Sequence, residues 1–344
     1  MNASLRRWPW ALGILILLPG GVAAWQSSPR ATVEAQIGQY ISDGRLDLAL
    51  SSYDAYVIRV KQPDIGLLTP VAREELRAAV RRFEGDAVLH SAALERLARA
   101  GDADALKTLK ASVGPHSAPA LSLARLDDKQ APARLGALLV DATGNEKVEI
   151  IRALADGDAR GESPKVAAQL TDSDPQVRAA AARAVGVLGY REAIPQLKVL
   201  FEQDPTVVRR FAAVALKRLG DSTADVVVAE MLASNSPDLR LMAAAAYPPT
   251  SRALWVEQIK ALRYDRNELV RVRAAEVLAC CDPDSARGML LAALAHPDPS
   301  MRVEVARVLE GQGLADARIA RQLLGDTFPQ VRLYGAGAVL KLAR

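Results

Sequence analysis

The chain is predicted to be an all-α solenoid, a superhelix of antiparallel helix pairs, on three observations. Arg178 has counterparts at Arg209, Arg240, Arg271 and Arg302, each 31 residues after the last, and at Arg332 after 30. Each follows an apolar residue, Val177, Val208, Leu239, Val270, Met301 or Val331, and a fixed period in the range of about 20–50 residues marks a repeat architecture. An apolar stripe of helical period travels with that Arg: Val177, Ala180, Ala181, Ala184, Val185 and Leu188, then Val208, Phe211, Ala212, Ala215, Leu216 and Leu219, and finally Val331, Tyr334, Gly335, Ala338, Val339 and Leu342. Third, half of the composition is apolar but only 4% is aromatic. Ala, Leu and Val dominate, which suits close-packed helices better than sheets.

In chain order, residues 1–24 read as a secretory signal peptide: basic Arg6 and Arg7, an apolar run Ala11–Leu18, the break Pro19-Gly20-Gly21, and small residues Val22-Ala23-Ala24 for cleavage after Ala24. The apolar run is short for a membrane span, so export to a bacterial periplasm or medium is expected. An uncleaved N-terminal anchor is the alternative. Residues 25–85 read as an N-terminal helical cap, with helices at 31–43, at Leu46–Val60 and from Pro70 to Phe83, Pro70 suiting a first turn. Residues 86–344 are the solenoid. Irregular pairs occupy 87–111, 117–140 and 145–170, and the regular array starts at about 172.

Within each regular unit, Asp-Pro pairs at 174–175, 204–205 and 298–299 open the first helix, where Asp can cap free N–H groups. The second helix carries Ile194, Leu197, Leu200 and Phe201, and later Val256, Ile259 and Leu262. Pro164 and Pro195 fall where a first-turn proline costs no hydrogen bond. Tyr247-Pro248-Pro249 is expected to end one first helix early.

The pattern Asp-Pro, Val-Arg, Ala-Ala, Ala-Leu and Leu-Gly followed by Ala-Ile-Pro-x-Leu resembles the HEAT repeat. At about 31 residues per unit it resembles most the short variety first associated with phycobilin lyases, over roughly 86–344. The pair 31–43 with 46–60 resembles one tetratricopeptide-type hairpin. The resemblance to HEAT repeats implies Asp and Arg ladders that join units, so the recurring Arg is assigned to stacking, with Asp174, Asp204 and Asp298 as nearby acids, rather than to an anionic partner.

No catalytic motif stands out. His90, His116 and His296 have no ligand-spaced companions. HEAT-type hydroxylases that hold two irons resemble this fold but carry His-Glu pairs. Here Ser91, Ser117 and Pro297 follow the histidines, so that activity is not implied. The run Asp156–Glu162 resembles a calcium loop but has Arg160 at a ligand position and Ala167 at the twelfth. Cys280 and Cys281 read as small residues at a helix end. No cofactor and no metal are expected.

Net charge is +4, and removing Arg6 and Arg7 leaves 42 basic against 40 acidic residues. That balance disfavours nucleic acid, which asks for a clustered basic stripe. The second helices are expected to line the inner curve, exposing Gln196, Val199, Val227, Glu230, Gln258 and Met289 to a protein or peptide. The expected function is an exported, non-enzymatic interaction scaffold. The alternative is an accessory factor, lyase-like or chaperone-like, that helps a cofactor onto another protein. Because the chain stops after a first helix, either that helix caps the array or something docks on it.

Overall fold

The computed structural model describes residues 29–112, 117–126, 128–204, 207–247 and 249–344. Residues 1–24, read above as a leader, lie outside the described residues. The described chain is all helical, and none of its helices is long and apolar enough to cross a membrane.

Three helices come first: α1 (Pro29–Ser42), α2 (Leu46–Val60) and α3 (Ile65–Arg82). Asp64 caps α3 by accepting from Leu67 N–H. The helix therefore begins five residues before Pro70, which sits inside it and not at its first turn. Pairs follow: α4 (Ala87–Arg99) with α5 (Ala103–Ala111), α6 (Ser117–Ala124) with α7 (Ala131–Asp141), and α8 (Gly144–Asp156) with α9 (Ser163–Ala168). The regular array holds α10 (Pro175–Leu188) with α11 (Ile194–Gln203), α12 (Val208–Arg218) with α13 (Asp225–Leu232), and α14 (Pro237–Ala244) with α15 (Val256–Lys260). It ends with α16 (Glu268–Leu278), α17 (Pro283–Ala293), α18 (Pro299–Gly311), α19 (Ala317–Leu324) and α20 (Pro329–Leu342).

Local chemistry explains the unit. Asp174 and Asp298 each open a first helix by accepting from the N–H two residues on, Gln176 at 2.8 Å and Ser300 at 2.9 Å. Gly189, Gly220 and Gly313 close first helices in the left-handed region, with φ of 70°, 78° and 68°, where a side chain would be strained. Short 3₁₀ turns at Arg160–Glu162 and Arg191–Ala193 deliver Pro164 and Pro195 to the first turns of α9 and α11. The unit holding Tyr247 departs from the rest: α14 stops at Ala244, and a 3₁₀ segment Pro249–Leu254 replaces the usual turn.

The expected stripe of α10 is buried apart from half-buried Ala180, but Ala179, Ala182 and Gly186 are buried as well. These extra positions face neighbouring first helices, since α10 packs closely against both α8 and α12. A Cβ on Gly186 would lie 2.9 Å from the Cα of Ala215, so only glycine permits that approach. Small side chains on the flanks let first helices crowd together. Second helices barely meet one another.

The ends of the array meet. α3 packs along α20 and α4 touches α20 in turn, so the helix from the N-terminal region stands where the second helix of the last unit would be. What covers α20 is α3. With α3 counted as that partner, the first helices α4 to α20, nine among the described residues, follow one another around a closed ring. α1 and α2 pack as a hairpin beside α3.

Candidate functional site

The recurring Arg is the mortar of one rim. Arg178 donates to the carbonyls of Asp172 and Ser173 in its own entry loop and to the Asp204 carboxylate of the next unit at 2.9 Å. Arg302 repeats this with the carbonyls of His296 and Pro297 and with Asp326 at 2.8 Å. Arg240 and Arg271 reach the carbonyls of Ser234 and Asp265. Arg209 differs, lying over the Phe201 ring at 5.2 Å. In the irregular part, Lys147 holds the same position and meets Asp172 at 2.6 Å. The acids are those of the following unit. Asp204, one of the three acids expected near the ladder, is the acid for Arg178, whereas Asp298 caps its helix and Asp326 is the acid for Arg302.

The last rung joins the ends. Arg332 donates to the carbonyls of Asp326 and Thr327, and its carboxylate is Glu75 of α3, at 2.9 Å. Glu75 is 5% exposed and also faces Arg82 at 3.3 Å. A second tie runs from Arg321 of α19 to Asp54 of α2 at 2.6 Å. A third is bidentate: Arg96 of α4 grips Glu310 of α18, Nε to Oε1 at 2.9 Å, both side chains 11% exposed. The guanidinium also stacks over Tyr334 of α20 at 4.8 Å. Burial works against the Arg96 charge, but Glu310 outweighs it and holds the pKa above the usual arginine value.

On the inner side of this seam lies a cavity of about 630 Å³. Every helix that lines it, α4, α6, α8, α18 and α20, is a first helix. First helices therefore form the concave wall, which corrects the expectation that second helices do so. The physical reason is that crowding of helices with small flanks puts them on the tighter circle. The wall carries both signs of charge. Glu95 binds Arg99 at 2.7 Å and Arg125 at 3.3 Å, Asp156 faces Arg183 at 3.7 Å, and Arg307 joins Glu304 at 2.8 Å and Glu276 at 3.4 Å. The Arg307 hydrogen bond holds the Glu304 carboxyl below the ordinary range despite burial.

The C-terminal ends of the inner helices gather at the other rim, where basic side chains cap a neighbour's last carbonyls. Arg99 donates to Arg125 O at 3.0 Å, Arg218 to Ala245 O at 2.6 Å, and Lys341 to the carbonyls of Glu310 and Gly311. Cations suit the negative end of a helix. Much of the positive charge of the wall is thus committed to structure.

The six residues expected to meet a partner lie on second helices, away from this cavity. Gln196, Val199, Glu230 and Gln258 are exposed and Val227 is half-buried. Met289 is 8% exposed and belongs to the core, so it is withdrawn as a contact residue. Its helix α17 begins with Pro283 at the first turn, and its inward face takes in Ala286, Met289, Leu290 and Ala293. Among the described residues no group of three or more His, Cys, Asp or Glu could hold a metal ion.

Several carboxyls are held below their ordinary range: Asp221 at about 2 by the Thr223 hydroxyl and Lys198, Asp172 by Lys147, and Asp326, where burial pushes upward but Arg302, the Phe328 N–H and Arg332 together outweigh it. A lowered folded-state pKa stabilises the fold above the unfolded value of about 3.9, and that contribution disappears as pH falls through the folded value. The thermal midpoint should therefore be flat from neutral pH to about 4.5 and drop between about pH 4 and 2. Asp221→Asn should flatten part of that drop in melts followed by circular dichroism.

Residues 163–247 and 257–341 match the family model for HEAT repeats, and these stretches are HEAT repeats. No curated protein matches the chain. Among solved structures, human deoxyhypusine hydroxylase in complex with glycerol aligns at 20% identity with a TM-score of 0.38, covering 81% of this chain and 100% of that one. An engineered protein aligns at 18% identity and a TM-score of 0.32, covering 92% and 97%. At those scores neither bears on what this chain does.

Proposed function

We propose that this HEAT-repeat protein is a binding scaffold without catalysis of its own, that its partner is another protein or a peptide, and that the first-helix wall of the ring is where the partner sits. The observation that carries the reading is the seam cavity, a concave space of about 630 Å³ whose wall is held in place by buried or half-buried ion pairs. A wall already tied by its own hydrogen bonds loses little entropy on binding, and pre-organisation of this kind favours affinity. Acids and bases alternate on it, which suits the mixed donors and acceptors of a polypeptide better than a uniform polyanion. The leader reading of residues 1–24 places the scaffold outside the cytoplasm, in a periplasm or medium.

A photo-crosslinking side chain decides between faces. Installed at Val88, 66% exposed in the cavity wall, it should trap a discrete partner from the native compartment. Installed at Val199, 49% exposed on second helix α11, it should not. Trapping from Val199 alone, or from neither position, would count against the inner-wall reading.

A further inference from the structure

We propose that Cys280 and Cys281 are a reversible dithiol–disulfide pair, an oxidisable site in the turn that joins α16 to α17. The two sulfur atoms lie 2.8 Å apart, closer than non-bonded sulfurs normally rest, so no rearrangement of the helices is needed to bring them within bonding reach. Cys280 is exposed to reagents, while Cys281 is half-buried and packs against the core.

The turn itself differs from its counterparts. Gly189, Gly220 and Gly313 lock three of the other first-to-second-helix turns in the left-handed region. At the equivalent place this unit has Asp282, with φ −145° and ψ 73°, which caps α17 by accepting from Ser285 N–H at 3.1 Å. The segment between the helices is held instead by two bonds to one carbonyl, Cys281 N–H and Asp282 N–H to Leu278 O at 2.9 and 2.7 Å. A turn without the glycine lock, carrying two adjacent thiols, is one that a covalent bond can reset.

The chemistry balances with a low-molecular-weight disulfide as oxidant. The Cys280 thiolate attacks one sulfur of that disulfide, the sulfur–sulfur bond breaks, and one thiol departs, leaving a mixed disulfide on Cys280. The Cys281 thiolate then attacks the Cys280 sulfur and expels the second thiol. Two protons and two electrons pass from the cysteines to the oxidant. Burial and the hydrogen bond to Cys281 push the Cys280 thiol up to about 11, so the first step is slow at neutral pH and quickens as pH rises. Adjacent Cα atoms stand only about 3.8 Å apart, short of the range of about 4.4–6.8 Å that relaxed disulfides span. The bond is therefore of the strained, easily reduced kind that serves switching and not stapling.

The test incubates the whole protein with oxidised glutathione and follows intact mass and free thiols. The expected end state is a monomer about 2 Da lighter with both thiols lost, restored by reductant, since one new sulfur–sulfur bond removes two hydrogens. In Cys281→Ser the glutathione adduct on Cys280 should persist, because the resolving thiol is gone. A stable adduct on the unaltered protein, a disulfide-linked dimer, or two thiols still titrating after prolonged treatment would each overturn the proposal. So would a Cys281→Ser protein that sheds its adduct as fast as the parent.

Discussion

Replacing Arg332 by Ala should cost about 3–5 kcal/mol of stability, the range for removing one partner of a buried ion pair, and should loosen the ring. The change leaves the Glu75 carboxylate, 5% exposed, with Arg82 at 3.3 Å as its remaining ion-pair partner, and deprives the carbonyls of Asp326 and Thr327 of a donor. Denaturant titration reads the energy, and small-angle scattering reads the shape as a larger radius of gyration. Glu75→Gln should be milder, because the amide can still accept from Arg332. If Arg332→Ala unfolds at the parent's midpoint and keeps its radius, the seam is not held by this pair.

The other large effect is expected at Gly335, on α20 where it crosses α19. A Cβ there would fall 2.5 Å from the backbone nitrogen of Leu324 and 2.7 Å from the carbonyl carbon of Leu323. Backbone cannot rotate away as the end of a long side chain can, so the helices must separate. Gly335→Ala should lose about 2–3 kcal/mol, overpacking more than cancelling the gain of about 1 kcal/mol in helix propensity. Gly288 makes the control: a Cβ there meets nothing within 4 Å, so alanine at that mid-helix position of α17 should be neutral or mildly stabilising. Equal effects at both positions in thermal melts would remove the close-approach explanation.

The helix pairs and the structural role of the Arg ladder were legible because both repeat, and repetition multiplies a weak signal. The acids of the ladder were less so, since Asp174, Asp204 and Asp298 share an Asp-Pro sequence while Asp204 alone among them receives an Arg. Closure left almost no trace: its ion pairs join residues 214 to 267 positions apart, each made once. One clue was present. Pairing 31–43 with 46–60 leaves the third N-terminal helix without a mate. The inner face was misassigned from general solenoid behaviour, although Ala179, Ala182 and Gly186 on the flanks of α10 already marked the side that packs most tightly. Met289 stands 93 residues, three periods, after exposed Gln196 yet is buried, because α17 turns Met289 as well as Leu290 toward the core.

A linear array of repeats behaves as a one-dimensional chain whose two outermost members, each lacking a neighbour, melt first. Joining α3 to α20 imposes a periodic boundary: every unit then has two neighbours, and fraying has no free edge from which to start. The same junction is the costliest contact to find during folding, since Glu75 and Arg332 are separated by 257 residues and so distant a loop closes only after the intervening units have shortened it. The molecule should accordingly assemble as an open arc and lose its ends in a late, slow step. Once shut, amide exchange should be as guarded at residues 329–342 as in the middle of the array, a uniformity that an open solenoid could not show.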